Sequence, residues 1–109
     1  MARRAECIPT LADQNLIQVG TVLEVMPDAL PPGAVVADPR FRARVVSLRG
    51  RQESVEWEFD GQRYSLTELT NILADRFGVT WPWGYYTFRD WRRVGQNVSL
   101  WDEAEQFPR

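Results

Sequence analysis

"SVEWEFDGQRYSLTELTNILADRFG", residues 54–78, decides the fold. It opens with period-two alternation: Val55, Trp57 and Phe59 are apolar and Glu56 and Glu58 between them are charged. That is the pattern of a strand with one buried face. Asp60-Gly61 then marks a turn, and "RYS" a brief extended return. From Ser65 the period changes. Leu66, Leu69, Ile72, Leu73 and Phe77 lie at helical spacing on one side of a helix predicted over 66–77. Ser65 and Glu68 stand where a capping box needs them, each satisfying an amide that the first helical turn leaves without a partner. Gly78 suits the left-handed position that closes a helix. Strand, turn, short strand and capped helix in one stretch make the class α+β.

Working toward the N-terminus, "FRARVVSL" (41–48) has the same parity, with Phe41, Ala43 and Val45 alternating with Arg42 and Arg44. Residues 41–48 and 54–59 are therefore read as an antiparallel hairpin. The expected register sets Arg44 opposite Glu58, Arg42 opposite Asp60 and Val46 opposite Glu56, with the apolar partners on the other face. The run Arg40, Arg42, Arg44, Arg49 and Arg51 has the look of a nucleic-acid patch. Cross-strand pairing accounts for about half of it, at a few tenths of a kcal/mol per pair. Arg49 and Arg51, in the turn "RGRQE", stay available to a ligand.

Farther out, "TLADQNLI" (10–17) reads as a short helix over about 11–18, with Thr10 as cap and Asp13 as its reciprocal acid. "TVLEVM" (21–26) is a strand candidate. Prolines 27, 31, 32 and 39 with Gly33 make 27–39 an irregular loop, and residues 1–9 are read as a flexible N-terminus. Beyond the central stretch, "GQRYSLTE" (61–68) is echoed by "GQNVSLWD" (95–102). Ser99 and Asp102 again offer a cap, for a last helix over about 100–107 carrying Leu100, Trp101, Ala104 and Phe107. The recurrence is a strand-to-helix device used twice, since the flanks diverge and two copies do not make a solenoid.

Between the two caps lies "VTWPWGYYTFRDWRRV" (79–94), which holds three of the five tryptophans. A strand over about 85–93 would set Tyr85, Thr87, Arg89, Trp91 and Arg93 on one face and Tyr86, Phe88 and Val94 on the other. The second face is the core candidate. The first interleaves rings with guanidiniums, a combination that stacks on bases and grips phosphates. The competing reading packs Tyr85 and Trp91 under the last helix or the proline loop, with the arginines capping that layer. Trp81 and Trp83, in the rigid turn before the strand, could wall a pocket for a planar group or close the end of the core. Candidate ligand residues are thus Trp81, Trp83, Tyr85, Arg89, Trp91, Arg92 and Arg93, together with Arg49 and Arg51.

Composition narrows the chemistry. Of 109 residues, 44% are hydrophobic and 26% charged, as in one small globular domain. There is no His, and all thirteen basic residues are Arg. An imidazole base, a His-ligated metal, a Schiff-base lysine and a P-loop lysine are therefore excluded. Cys7 is alone, which rules out an internal disulfide or a Cys-based zinc site. The fifteen acids form no pattern distinct from a solvated surface. We expect no catalysis, no metal and no cofactor. No apolar run reaches membrane-span length, and no apolar segment follows the basic "MARRAEC", so a cytoplasmic protein without a signal peptide is expected. The net charge of −2 opposes general attraction to nucleic acid. The charge is uneven, however: residues 39–98 hold ten Arg against seven acids, and both flanks are acidic.

The order of these parts resembles the RAMA (restriction enzyme adenine methylase associated) domain. The matching pieces are "GTVL" (20–23), "DGQRYSLTEL" (60–69), "GYYTF" (84–88) and "SLWDEAE" (99–105), spanning roughly residues 11–105. The chain departs from that pattern in its longer 27–39 loop, and in Tyr85 and Phe88 where tryptophans are expected. The resemblance implies a single non-catalytic domain over 1–109 from restriction–modification and phage-defence systems. Such a domain would recognise modified DNA, for example methylated adenine, with aromatic walls for a base and arginines at phosphates. It also implies a copy that acts with a partner or as a homodimer. The alternative is a protein-interaction or adaptor module that uses the same aromatic and arginine face without binding DNA.

Overall fold

The computed structural model describes residues 7–48, 53–79 and 89–107. Among these residues three α-helices and five strands follow one another as α1 (Cys7–Asp13), β1 (Val22–Val25), β2 (Arg42–Val45), β3 (Val55–Trp57), β4 (Arg63–Tyr64), α2 (Leu66–Phe77), β5 (Trp91–Arg93) and α3 (Leu100–Glu105), with short 3-10 turns at Pro27–Ala29 and Pro39–Phe41. The strands form one antiparallel sheet in the order β4-β3-β2-β1-β5. This is the α+β domain expected from the sequence.

The sheet has two chemically distinct faces, and strand parity sets them. Leu23, Val25, Ala43, Val45, Val55, Trp57 and Trp91 are buried on the inner face. Leu66, Leu69 and Leu73 of α2, Ile8 and Leu11 of α1, and Leu100 and Ala104 of α3 complete that core. α2 crosses the inner face: Thr70 reaches Trp91 on edge strand β5, and Phe77 meets the Trp57 ring on β3. The outer face carries Val22, Glu24, Arg42, Arg44, Glu56, Arg63 and Arg92.

α2 runs over the expected residues with the expected cap. The Ser65 hydroxyl accepts from the Glu68 amide at 3.0 Å, the Glu68 carboxylate accepts from the Ser65 amide at 3.1 Å, and Gly78 closes the helix at φ 69°. At α3 only half of the device forms, with Ser99 accepting from the Asp102 amide at 3.2 Å. Asp102 has one methylene fewer than Glu68 with which to reach back.

Three expectations are corrected. α1 already includes Cys7, the first described residue, so Thr10 is an interior residue and not a cap, and residues 7–9 belong to the helix. Asn15, left-handed at φ 60°, ends that turn and sends Leu16 and Ile17 on as a connector. The β2–β3 register is two residues from the one expected, with Ala43 opposite Trp57 and Arg44 opposite Glu56. A slip of two keeps every side chain on its face, which is why the face assignment survives. Trp57 holds this register, because its indole donates to the Arg40 carbonyl at 2.9 Å and its ring lies opposite a small alanine. The turn at 58–60 then takes Phe59 and Asp60 out of the strand, so Arg42 pairs with Glu24 instead of Asp60. The proline-rich 27–39 segment is held against the domain through buried Ala29 and the partly buried Leu30 and Ala34.

Candidate functional site

The described part of the ligand face expected along 85–93, residues 89–93, is engaged within the fold. β5 is three residues long, and its register with β1 sets Trp91 opposite Val25, inside the sheet. Trp91 is fully buried, and its indole donates to the Thr70 hydroxyl at 3.0 Å. Thr70 in turn donates to the Leu66 carbonyl at 2.7 Å. Trp91 is therefore a core residue, and its assignment to a stacking surface is corrected. The physical reason is that β5 shares the inner face with α2, and a ring there leaves water while its one N–H finds a hydroxyl.

The two arginines after it are also committed. Arg92 points outward and bonds Glu24 at 2.8 Å. Arg93 grips Glu103 of α3 with bonds of 2.6, 3.0 and 3.2 Å. That carboxylate raises the Arg93 pKa further, with burial opposing. The guanidinium of Arg89 lies 5.3 Å from the Trp101 ring centroid. Arg49, Arg51, Trp81, Trp83 and Tyr85 lie outside the described residues, as does the remainder of the expected strand over 85–88.

Arginines gather instead on the outer face of the sheet, in two transverse rows. In one, Arg42 of β2 and Arg92 of β5 flank Glu24 of β1, at 3.2 and 2.8 Å. In the other, Arg44 of β2 and Arg63 of β4 flank Glu56 of β3, and Arg44 meets Glu56 at 2.7 Å. The rows differ in exposure. Glu24 is buried beneath its two arginines, whereas the Arg44 side chain is 53% exposed and Arg63 is exposed. Each row has two cations for one anion, so the face is net positive on a chain of net charge −2. No protein-family model, curated protein or solved structure matches the chain.

Asp90, which the sequence reading left unassigned, stands immediately before β5. It is 1% exposed, its Oδ2 has no hydrogen-bond partner among the described residues, and burial pushes its carboxyl up to about 7. Its backbone carbonyl accepts from the Met26 amide at 2.8 Å, which ties the end of β1 to β5. No sequence signal marked it, because burial of a carboxyl is a tertiary property. Among the described residues no group of three or more Cys, Asp or Glu side chains is placed to hold a metal ion. No helix among them is long and apolar enough to cross a membrane.

Proposed function

We propose that this chain is a non-catalytic DNA-binding module of the cytoplasm, in a restriction–modification or phage-defence setting, that docks the phosphate backbone on the outer face of its sheet. The observation that carries this reading is the excess of guanidinium over carboxylate in the two rows, above all the exposed Arg44 and Arg63. They sit two strands apart, or about 10 Å, which suits contacts to separate phosphates. The resemblance to the RAMA domain supports modified DNA as the ligand, with Trp81, Trp83 and Tyr85 as the residues that would stack on a base. Because the whole chain is acidic, binding relies on this local surplus and falls steeply with salt. A homodimer, presenting two such faces, would raise the affinity by avidity.

The test is binding of the purified protein at low salt to matched unmodified and adenine-methylated duplexes. Arg44→Ala combined with Arg63→Ala should weaken binding to all duplexes and reduce the salt slope by up to about 1.8, if each contacts one phosphate. Preference for the methylated duplex should survive in that variant. Unchanged affinity and slope would remove the sheet face from the reading. Absence of binding to any duplex at low salt would end the DNA reading altogether.

The adaptor reading is favoured by one observation. Trp91, Arg92 and Arg93, the residues that made a nucleic-acid strand attractive in the sequence, are engaged within the protein.

A further inference from the structure

An aromatic and arginine surface does exist in this domain, at a corner the sequence did not single out. Where β3 turns toward β4, Phe59 leaves the strand and is 47% exposed, and it is the one aromatic among the large exposed apolar side chains of the described residues. Its ring leans on Trp57, with centroids 5.1 Å apart, and meets Phe77 edge-on at 5.6 Å. Phe77 ends α2, so a strand turn and a helix terminus build this apolar spot together. Two guanidiniums border it. Arg40 lies 5.4 Å from the Phe77 centroid and Arg76 lies 5.3 Å from it, with Arg76 also 5.6 Å from Trp57.

The two cations are in different states. Arg40 is bound to Asp38 by side-chain bonds of 2.8 and 3.1 Å, and the carboxyl of Asp38 is correspondingly held below its usual range. Arg76 is exposed and meets no carboxylate within ion-pair distance among the described residues. It is a guanidinium held by rings, with its donors still to be used. Rings beside arginine are what protein interfaces concentrate at their energetic centres. The surrounding charge also distinguishes between macromolecules. Asp38 and Asp60 stand at the same corner, and Asp60 already accepts from the Tyr64 hydroxyl at 2.6 Å. A polyanion laid across the corner would meet those carboxylates, whereas a single carboxylate can reach Arg76 alone.

We infer that this corner docks a partner protein through a segment carrying an apolar or aromatic side chain next to a carboxylate. The apolar side chain covers Phe59 and the exposed edge of Phe77, and the carboxylate takes the free donors of Arg76. The inference does not depend on DNA binding, since Arg44 and Arg63 belong to the outer face and these rings to the end of the inner one.

The test uses the whole chain and two labelled synthetic peptides of equal length, one carrying a single Leu-Phe-Asp unit between Gly and Ser residues, the other with Lys replacing that Asp. In amide-resolved NMR titrations to about millimolar peptide, the acidic peptide should shift residues around 38–41, 57–60 and 76–78, and the basic one should not. Phe59→Ser should weaken the acidic peptide about tenfold or more in a protein that still folds cooperatively, with a melting temperature lowered by the lost packing on Trp57 and Phe77. Arg76→Glu should abolish that binding and admit the basic peptide. Equal binding of both peptides, shifts elsewhere, no shifts at all, or binding indifferent to Phe59→Ser and Arg76→Glu would each overturn the inference. The NMR map is read on the unsubstituted protein, so it stands even where a variant folds poorly.

Discussion

The Trp91 indole donates to the Thr70 hydroxyl across 3.0 Å of buried space, joining edge strand β5 to the middle of α2. Two residues twenty-one positions apart thereby fix how the helix lies on the sheet. Trp91→Ala should destabilise the domain by about 3–5 kcal/mol, as removal of a buried ring does. Thr70→Val keeps the volume and leaves a buried N–H unsatisfied, for about 1–3 kcal/mol. Urea unfolding measures both. Ligand affinity in Trp91→Ala should fall only in proportion to the unfolded fraction, and a binding loss at full stability would return Trp91 to the ligand surface.

Glu24 and Glu56 occupy equivalent places in the two arginine rows but differ in burial, and the same substitution should separate them. Glu24→Gln leaves two partly buried guanidiniums short of an anion and should cost about 1–3 kcal/mol. Glu56→Gln, in the exposed row, should cost under about 1 kcal/mol. On the proposed DNA-docking face, Glu56→Gln should also raise affinity for duplex DNA and steepen its salt dependence, because it frees Arg44. Unfolding curves paired with binding at two salt concentrations decide the matter.

Asp90 makes stability depend on pH in an unusual direction. Burial raises its folded carboxyl from the ordinary 3.8 to about 7, so the folded state binds a proton that the unfolded chain has already released. Its contribution is fully present below about pH 4 and is lost as pH rises toward and through 7. Asp90→Asn, which stays neutral, should be more stable than the unsubstituted protein at pH 8, with the gap closing toward pH 4.5. Parallel unfolding curves for the two proteins across that range would refute the assignment.

Ser65→Ala should cost about 1 kcal/mol through loss of the α2 cap. Ser99→Ala should cost less, because the box at α3 is half formed and the helix is short. Neither change should alter ligand affinity at temperatures where the variant is folded, and thermal melts beside binding isotherms check this.

The sequence by itself determined what is local. Parity in 41–45 and 55–57 assigned the faces of the hairpin, and Ser65, Glu68 and Gly78 bounded α2, because alternation, caps and left-handed closures act within a few residues of chain. Tertiary structure decided what depends on distant partners. Register followed from Trp57 reaching the Arg40 carbonyl, and Arg42 found Glu24 eighteen residues away rather than Asp60. The inward face of β5 was set by pairing with β1 and by Thr70, so period-two reading put Trp91 and Arg93 together on one face but offered that face to a ligand. Asp90 and the corner of Phe59, Phe77 and Arg76 left no mark in the sequence, since burial of a carboxyl and the meeting of a strand turn with a helix end exist only after folding.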